Sequence, residues 1–356
     1  MPLKFLLFIL ILEFSPAMAL QITHVHHNPL VIYPDKDQST EIIFTLSEMA
    51  VSELKIFDDR DILIRSIVNN DSQQGQNKFL WDGKDQLGRL VPSEAYKYTL
   101  TATNEGKEIE YDVSDITGNK PLHVKSIKWN ADKKHFQYVL KKPARVLIRV
   151  GLDKHGPLLD TVSNWEPRNA GQKIEKWSGL DVSKVIDLTR HPKLDATIIA
   201  YTLSHNTVLV GSETNKKKYV EGITWQHERR EKKIKHKKII AAAYQQSPET
   251  RGDYKALIKF PEILGKTDKG IPIIRGKVPV VVDAPAEFRE IALARRSEPV
   301  LYIDGKFALE NEVGFLPMTW IVDTTNMHEG EHYISINLRG YEGNFGVATA
   351  KIYVKK

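Results

Sequence analysis

A tryptophan-bearing turn between alternating strands constrains this chain more than any other feature. In residues 77–90, Phe79 and Trp81 point the same way in an extended chain, and Asp82-Gly83 then supplies a turn. The strand that follows, 96–102, places tyrosine, leucine and alanine side chains on one face at a period of two. The pattern predicts a β-hairpin anchored by a tryptophan.

The same passage returns about one small domain later. The turn is repeated at Trp177-Ser178-Gly179-Leu180-Asp181, and an apolar strand at 194–201 follows it in the sequence. Near the first turn, residues 42–46, 54–56 and 62–64 alternate as further short strands. About seven short strands in roughly 85 residues are typical of a β-sandwich.

The order of these features carries a family resemblance. The ordered segments are the acidic entry at Asp35 and Asp37, Ile43-Phe44-Thr45-Leu46-Ser47, Leu54-Lys55-Ile56-Phe57-Asp58, Leu63-Ile64-Arg65, Trp81-Asp82-Gly83-Lys84-Asp85 with Gly88, and Tyr96-Lys97-Tyr98-Thr99-Leu100. They resemble the Ig-like domain of the flagellar hook-capping protein, a domain type that also occurs in exported bacterial surface proteins. The resemblance covers residues 21 to about 104 and departs from the family at Ser93-Glu94, where a glycine is usual. It implies an Ig-like sandwich but no flagellar role, because the segment that docks a hook-capping protein on the flagellum is not visible.

A weaker copy of the same plan occupies residues 123–212, and the unit from 271 onwards resembles a general bacterial Ig-like domain. In that last unit Asp304-Gly305 predicts a hairpin turn, and 288–293 alternates as a strand. The predicted fold is all-β, with tandem Ig-like or fibronectin III-like β-sandwiches, and 356 residues suit three such units. The predicted segments are an export signal at 1–19, sandwiches at 20–118 and 119–212, a basic linker or insert at 213–270, and a C-terminal sandwich at 271–356.

The N-terminus has the pattern of an export signal. Lys4 gives a weakly basic start, residues 5–12 are an unbroken apolar run, and Ala17-Met18-Ala19 supplies small residues for cleavage. The apolar run is too short to span a bilayer, for which about twenty residues are needed, and the alternative is an uncleaved anchor or a buried first strand. We expect a mature chain outside the cytoplasm, in the periplasm or at the cell surface, without a transmembrane segment. Because the chain has no cysteine, packing rather than disulfides must hold its sandwiches together.

The positive charge is confined to one segment. The net charge is +6, and residues 213–238 alone hold ten Lys and Arg against four Glu, so the remainder is neutral. This basic stripe is best explained as a solvated linker or loop between domains, and binding to acidic polysaccharide or another anionic surface is the alternative. Nucleic acid is not expected, because Trp225 and Tyr244 stand at the two ends and are not interleaved with the basic residues. The candidate binding residues are Trp165, Trp225, Arg229, Arg230, Lys232, Lys233, Lys235, Lys237 and Lys238.

Three sets of side chains have the chemistry of metal ligands without the spacing of a known site. His24 and His26 share a face of a predicted strand beside His27, a pattern that suits Zn or Cu only if a third ligand joins. The other two sets are Asp35, Asp37, Asp82 and Asp85, which offer oxygens for calcium, and His328, Glu329, Glu331 and His332, which are better explained as a turn before a strand. We therefore predict no metal and no cofactor.

The chain lacks the usual signatures of an enzyme. The sequence contains no Gly-rich phosphate loop and no serine nucleophile motif, and its acids are scattered over turns. The favoured interpretation is an exported structural or adaptor protein of the bacterial envelope or cell surface, whose Ig-like domains contact another envelope protein or a larger assembly. The alternative is a carbohydrate-binding or carbohydrate-processing accessory protein with Trp165, Trp225 or Trp320 as stacking platforms. A periplasmic metal-handling protein that uses the three N-terminal histidines is a third hypothesis.

Overall fold

The computed structural model describes residues 19–221 and 251–356, except 154, 295 and 342. Its regular structure is nearly all β-sheet, arranged as successive β-sandwiches, which confirms the predicted fold class. The export signal lies outside the described residues apart from Ala19, and so does the basic stripe from 222 onwards. In the part of the chain that the structure describes, no helix is long and apolar enough to cross a membrane.

The elements follow one another along the chain in three groups. The first group is β1 (Ile22–Asn28), β2 (Val31–Ile32), a 3-10 helix (Pro34–Lys36), β3 (Thr40–Leu46), β4 (Ala50–Phe57), β5 (Leu63–Ser72), β6 (Gly75–Trp81), β7 (Glu94–Asn104), β8 (Lys107–Tyr111) and α1 (Ser114–Thr117). The second group is β9 (Lys128–Asn130), β10 (His135–Leu140), β11 (Ala144–Leu152), β12 (Leu158–Arg168), β13 (Gly171–Lys176), β14 (Leu194–Thr202), β15 (Thr207–Val210) and α2 (Lys216–Glu221). The third group is β16 (Tyr254–Lys255), β17 (Leu257–Lys259), β18 (Gly265–Lys266), β19 (Pro272–Ile274), β20 (Lys277–Asp283), α3 (Ala286–Ala294), β21 (Glu298–Ile303), β22 (Lys306–Glu310), β23 (Met318–Asp323), β24 (Gly330–Arg339) and β25 (Phe345–Val354).

The first two sandwiches share one strand plan. In the first, β1-β3-β6 form one sheet, and β7-β4-β5 lie in the other. In the second, β9-β10-β13 and β14-β11-β12 take the corresponding places. The predicted alternation fills the space between the sheets: Ile42, Phe44 and Leu46 of β3 are buried, and so are Leu54 and Ile56 of β4.

The two tryptophan turns are also built alike. Trp81 is fully buried and is the last residue of β6, and Trp177 is 6% exposed and directly follows β13. Four residues after each tryptophan, Asp85 and Asp181 accept hydrogen bonds from the amides two and four residues further on. In each tight loop, the carboxylate thus accepts hydrogen bonds from backbone amides in place of backbone carbonyls.

The segment that follows the second sandwich returns to the first one. Strand β15 pairs with β7 and with β2, and places Val208 and Val210 in the first core. Helix α2 adds Tyr219 to the same core, and the Tyr219 hydroxyl donates to Asp85 Oδ2 at 3.1 Å. The predicted second unit, 119–212, therefore has to be corrected at its C-terminal end, because 207–210 completes a sheet of the first sandwich.

The third sandwich begins earlier than the predicted boundary at 271. Tyr254 starts β16, which pairs with β25, and packs in the third core, while β17 pairs with β20. Residues 254–270 thus belong to the sandwich rather than to the linker at 213–270. The predicted strand at 288–293 is wrong, since Ala286–Ala294 is helix α3, rich in the good helix formers Ala, Glu, Arg and Leu.

The predicted hairpin at Asp304-Gly305 is confirmed. It joins β21 to β22, and both turn residues have positive φ angles, 49° and 75°. A two-residue turn of this kind matches the twist of the flanking strands and favours Asp-Gly.

Candidate functional site at the sandwich junctions

Strand β11, at the centre of the second sandwich, presents two arginines on its outer face. Val146, Ile148 and Val150 are fully buried in the sandwich core, so the alternate positions point outward. Those positions carry Arg145 and Arg149, which lie roughly 13 Å apart along the strand. One arginine meets the first sandwich and the other meets the third.

Arg145 occupies a buried cluster of five charges. Its guanidinium lies 2.8 Å from Glu94 Oε1 and 3.5 Å from Asp59 Oδ2, both in the first sandwich. Lys216 Nζ lies 2.5 Å from the other Glu94 oxygen, and Arg251 Nη2 lies 2.9 Å from Asp59. All of these side chains except Lys216 are at most 11% exposed. Because unpaired charges are costly to bury, this cluster, termed here the first junction, requires both sandwiches to be in place.

The charges of the first junction hold one another ionised. Burial by itself would raise the pKa of Glu94, but Arg145 and Lys216 lower it to about 2. Burial opposes the positive charge of Arg145 and Lys216, yet the neighbouring carboxylates raise the pKa of both. For Arg251, burial and repulsion from Arg145 lower the pKa. Glu94 is therefore the acid that Arg145 and Lys216 share, while Arg251 pairs with Asp59.

Arg149 forms the second junction, with Asp253 as its partner. Two hydrogen bonds of 2.7 and 2.6 Å join the guanidinium to the carboxylate, and Arg149 also donates to the Gly343 carbonyl. The Asp253 carboxylate further accepts the Thr161 hydroxyl and the Phe345 amide. The Arg149 guanidinium lies 4.5 Å from the centre of the Phe345 ring. A bidentate, buried pair with these extra partners fixes distance and direction together.

The short strap Arg251-Gly252-Asp253 connects the two junctions along the outer face of the second sandwich. Asn164 of β12 accepts from the Asp253 amide and donates to the Asp253 carbonyl, both at 2.9 Å. Gly252 has a φ of 105°, and a Cβ there would lie 2.7 Å from the Asn164 side chain. Only glycine fits this close approach. Both charged side chains of the strap are used inside the molecule.

Further polar contacts join the second and third sandwiches. The Asn337 side chain accepts from the Leu158 amide and donates to the Leu158 carbonyl, each at 2.8 Å. The Thr349 amide donates to Ser183 Oγ, in the tryptophan turn of the second sandwich. A cleft of about 460 Å³ lies beside these contacts, lined by both sandwiches. The interface is specific because its backbone groups find side-chain partners of matching geometry.

The structure places Trp165 away from solvent. It is 4% exposed and packs with Leu147, Ile199 and Tyr201 on the outer face of β11, β12 and β14. Trp165 is the extra residue of a β-bulge, with φ of 61°, and this bulge turns the indole toward Leu147. The buried indole therefore offers little free face to a stacking sugar ring. Trp320 is half-buried against the third core, and Trp225 with the basic candidates Arg229 to Lys238 lies outside the described residues.

The N-terminal histidines do not form one group. A bulge with a φ of 50° at His24 breaks the alternation that was expected to place His24 and His26 on one face. His27 is buried and lies 3.2 Å from the Tyr98 hydroxyl, and burial lowers its pKa to about 4 despite a hydrogen bond with the Thr207 backbone. Among the described residues, no three His, Asp or Glu side chains are grouped so that they would hold a metal ion.

The acidic candidates have structural partners. Asp85 is fully buried and pairs with Arg89, while Asp82 and Asp35 accept backbone amides from Lys84 and Glu213. In the C-terminal cluster, Glu331 pairs with Lys351 across the strands.

His332 is buried between Asp304 Oδ2, at 2.7 Å, and the His328 carbonyl, at 2.9 Å. It fixes the hairpin turn against the start of β24.

Sequence reasoning missed Arg145, Arg149 and Asp253. The available signal is the run 144–150, in which two arginines interrupt an otherwise apolar strand at a spacing of four. On the face opposite to Val146, Ile148 and Val150, this spacing places Leu147 between the two arginines, a mixture of apolar and charged side chains that suits a covered face. The local sequence does not indicate which segments pack on that face.

Residues 31–106 match the family model of the FlgD Ig-like domain. A comparison with curated proteins finds no match. Among solved structures, FlgD from P. aeruginosa is 20% identical, with 33% of this chain and 82% of that chain covered and a TM-score of 0.22. A 1.5-MDa bacterial ice-binding adhesin is 12% identical over 94% of this chain and 98% of its own, with a TM-score of 0.20. A tetra-tandem repeat from the extending region of a large adhesion protein is 12% identical over 95% and 74%, with a TM-score of 0.21. The chain therefore contains one FlgD-type Ig-like domain, at residues 31–106 in the first sandwich.

Proposed function

We propose that this chain is an exported, non-enzymatic structural or adaptor protein of the bacterial envelope or cell surface. Its three sandwiches form one stiff arm that holds binding surfaces at fixed positions for another envelope protein or a larger assembly. The observation that carries this proposal is the pair of buried arginine junctions on one face of β11. Flexibly linked domains have no need of such contacts, since relative motion is the default for domains joined by small polar interfaces.

The repeated strand plan supports a second, divergent FlgD-type sandwich at about 119–206. The two tryptophan turns, with their matching Asp85 and Asp181 contacts, support the same assignment. The first sandwich then comprises residues 20–118 together with the returning segment 207–221, and the third comprises 254–356. Export through the N-terminal signal places this arm outside the cytoplasm.

A pull-down of the tagged mature chain from its own envelope fraction tests the adaptor role. We expect one stoichiometric protein partner, recovered equally by the exposed control Arg275→Ala and less well by Arg149→Ala, which unlocks the third sandwich. Retention on acidic polysaccharide without any protein partner contradicts the proposal and favours the carbohydrate-binding alternative.

A further inference from the structure

Trp129 belongs to a rigid group of three aromatic rings in the second sandwich. Its ring centre lies 4.7 Å from that of Phe136 and 5.0 Å from that of Trp177. The indole N–H of Trp129 donates to the Thr189 carbonyl at 2.9 Å, and that of Trp177 donates to Asp160. Both indoles are therefore fixed in orientation as well as in position.

Only Trp129 of these three rings reaches the surface. Phe136 and Trp177 are buried, whereas Trp129 is half-buried and lines an open groove of about 540 Å³. This volume lies within the range of about 300 to 1,000 Å³ that is usual for small-molecule sites. By strand register, the corresponding position in the first sandwich is His27, which is buried against Tyr98. The groove is thus a feature that the second sandwich has and the first does not repeat.

The rim of the groove offers both donors and acceptors of hydrogen bonds. Arg190 lies on the rim in an exposed ion pair with Asp132, at 2.5 Å. His191 Nδ1 accepts the Lys193 amide, so the proton of the neutral ring is on Nε2, which is a donor. The Asp195 carboxylate also lines the groove and uses Oδ1 for the Ala196 amide, which leaves further lone pairs as acceptors.

We propose that this groove binds a pyranose ring of a neutral polysaccharide, with one apolar sugar face against Trp129 and the hydroxyls directed at Arg190, His191 and Asp195. A sugar ring has an apolar face and a polar edge, and the groove has the complementary aromatic floor and polar rim. An anionic ligand is disfavoured because Arg190 is already paired with Asp132 and the groove is also lined by the carboxylate of Asp195. A purely apolar ligand would leave the polar groups of the rim without hydrogen-bond partners. This binding site is separate from the two junctions and does not depend on the adaptor role.

Native affinity electrophoresis of the full mature chain tests the proposal. The probes are gels that contain hydroxyethylcellulose, starch, galactomannan or xylan, with alginate as the anionic comparison. We expect retardation in at least one neutral gel, weakened at least tenfold in the double variant Arg190→Ala/His191→Ala, whose side chains lie outside the core. Arg275→Ala, an exposed arginine of the third sandwich, is retarded like the wild type.

Trp129→Phe tests the platform itself. It keeps an aromatic ring in the cluster but removes the indole N–H that donates to the Thr189 carbonyl, so we expect weaker retardation by a chain that still unfolds cooperatively, at a somewhat lower temperature. The proposal is overturned by the absence of retardation in every neutral gel, by retardation in alginate alone, or by retardation that the Arg190/His191 double variant does not reduce.

Discussion

Gly83 and Gly88 lie in the same tryptophan turn, and both have positive φ angles, of 70° and 77°. A Cβ at Gly83 would lie 2.2 Å from Pro34 Cγ, whereas a Cβ at Gly88 has nothing within 4 Å. The second sandwich repeats the crowded position at Gly179, where a Cβ would lie 2.2 Å from Thr189 Oγ1. The first glycine of the turn is therefore required for space as well as for backbone conformation.

Substitution of each glycine by alanine separates these two requirements. We expect Gly88→Ala to cost about 1 to 2 kcal/mol, because only the left-handed backbone is strained. Gly83→Ala adds overpacking, typically about 1 to 3 kcal/mol more. Denaturant unfolding monitored by tryptophan fluorescence measures both. Equal losses for the two variants would show that the Pro34 contact does not constrain the turn.

Glu94 makes the first junction sensitive to acid. Its folded-state pKa of about 2 lies below the ordinary value of 4.5, so the ionised form stabilises the fold above pH 4.5. This contribution, on the order of 3 kcal/mol, is lost as the pH falls from about 4.5 toward 2. We expect unfolding free energies to fall more steeply over this range in the wild type than in Glu94→Gln, which has no carboxylate to protonate. Parallel pH profiles for the two proteins would falsify this assignment.

Arg149→Ala leaves Asp253 buried without its cation. Removing one partner of a buried pair costs about 3 to 5 kcal/mol, because the remaining charge is uncompensated. The matched control Arg275→Ala lies at the surface, where substitutions stay within about 0.5 kcal/mol. Denaturant unfolding compares the two, and a loss below 1 kcal/mol for Arg149→Ala would mean that solvent screens the second junction.

Among the elements, most strands can be predicted from the sequence, whereas only some of their pairing partners can. The alternation of Ile42, Phe44 and Leu46 fixes which face is inward, since a period of two has only two registers. Strand β15 has no such alternation, because all four of its residues are buried. A short run that is buried on both sides does not reveal which sheet it joins. Helix α3 was mistaken for a strand because periodicity in a nine-residue segment is weaker evidence than its helix-forming composition.

The returning segment is anchored by hydrogen bonds, one of them from the Tyr219 hydroxyl, as well as by apolar packing. Tyr219 donates to the fully buried Asp85, and its ring lies 5.2 Å from the Arg89 guanidinium. We expect Tyr219→Phe to cost about 1.5 to 3 kcal/mol, the range for hydrogen bonds to charged groups. Tyr341→Phe is the matched control, because Tyr341 is 90% exposed. If thermal unfolding moved equally little in both variants, helix α2 would not be docked on the tryptophan turn.

In the whole molecule, the two junctions between sandwiches could not be predicted from the sequence. Asp59, Arg145 and Arg251 are far apart in the chain, and each is an ordinary charged residue in its local context. Their significance comes from the return of the chain to the first sandwich at β15, which brings Lys216 and Arg251 back to the same acids. The three sandwiches were predictable, but the contacts that hold them in one arrangement follow only from the topology.

We expect Arg145 and Arg149 to lock the three sandwiches into one arm. Because the chain has no cysteine, Asn70→Cys in the first sandwich and Tyr341→Cys in the third give two unique, exposed positions for spin labels. Double electron–electron resonance between these labels measures the distribution of distances along the arm. We expect one narrow distribution that broadens in Arg145→Ala/Arg149→Ala, and a broad distribution in the otherwise unchanged chain would show that the two junctions do not hold the sandwiches together.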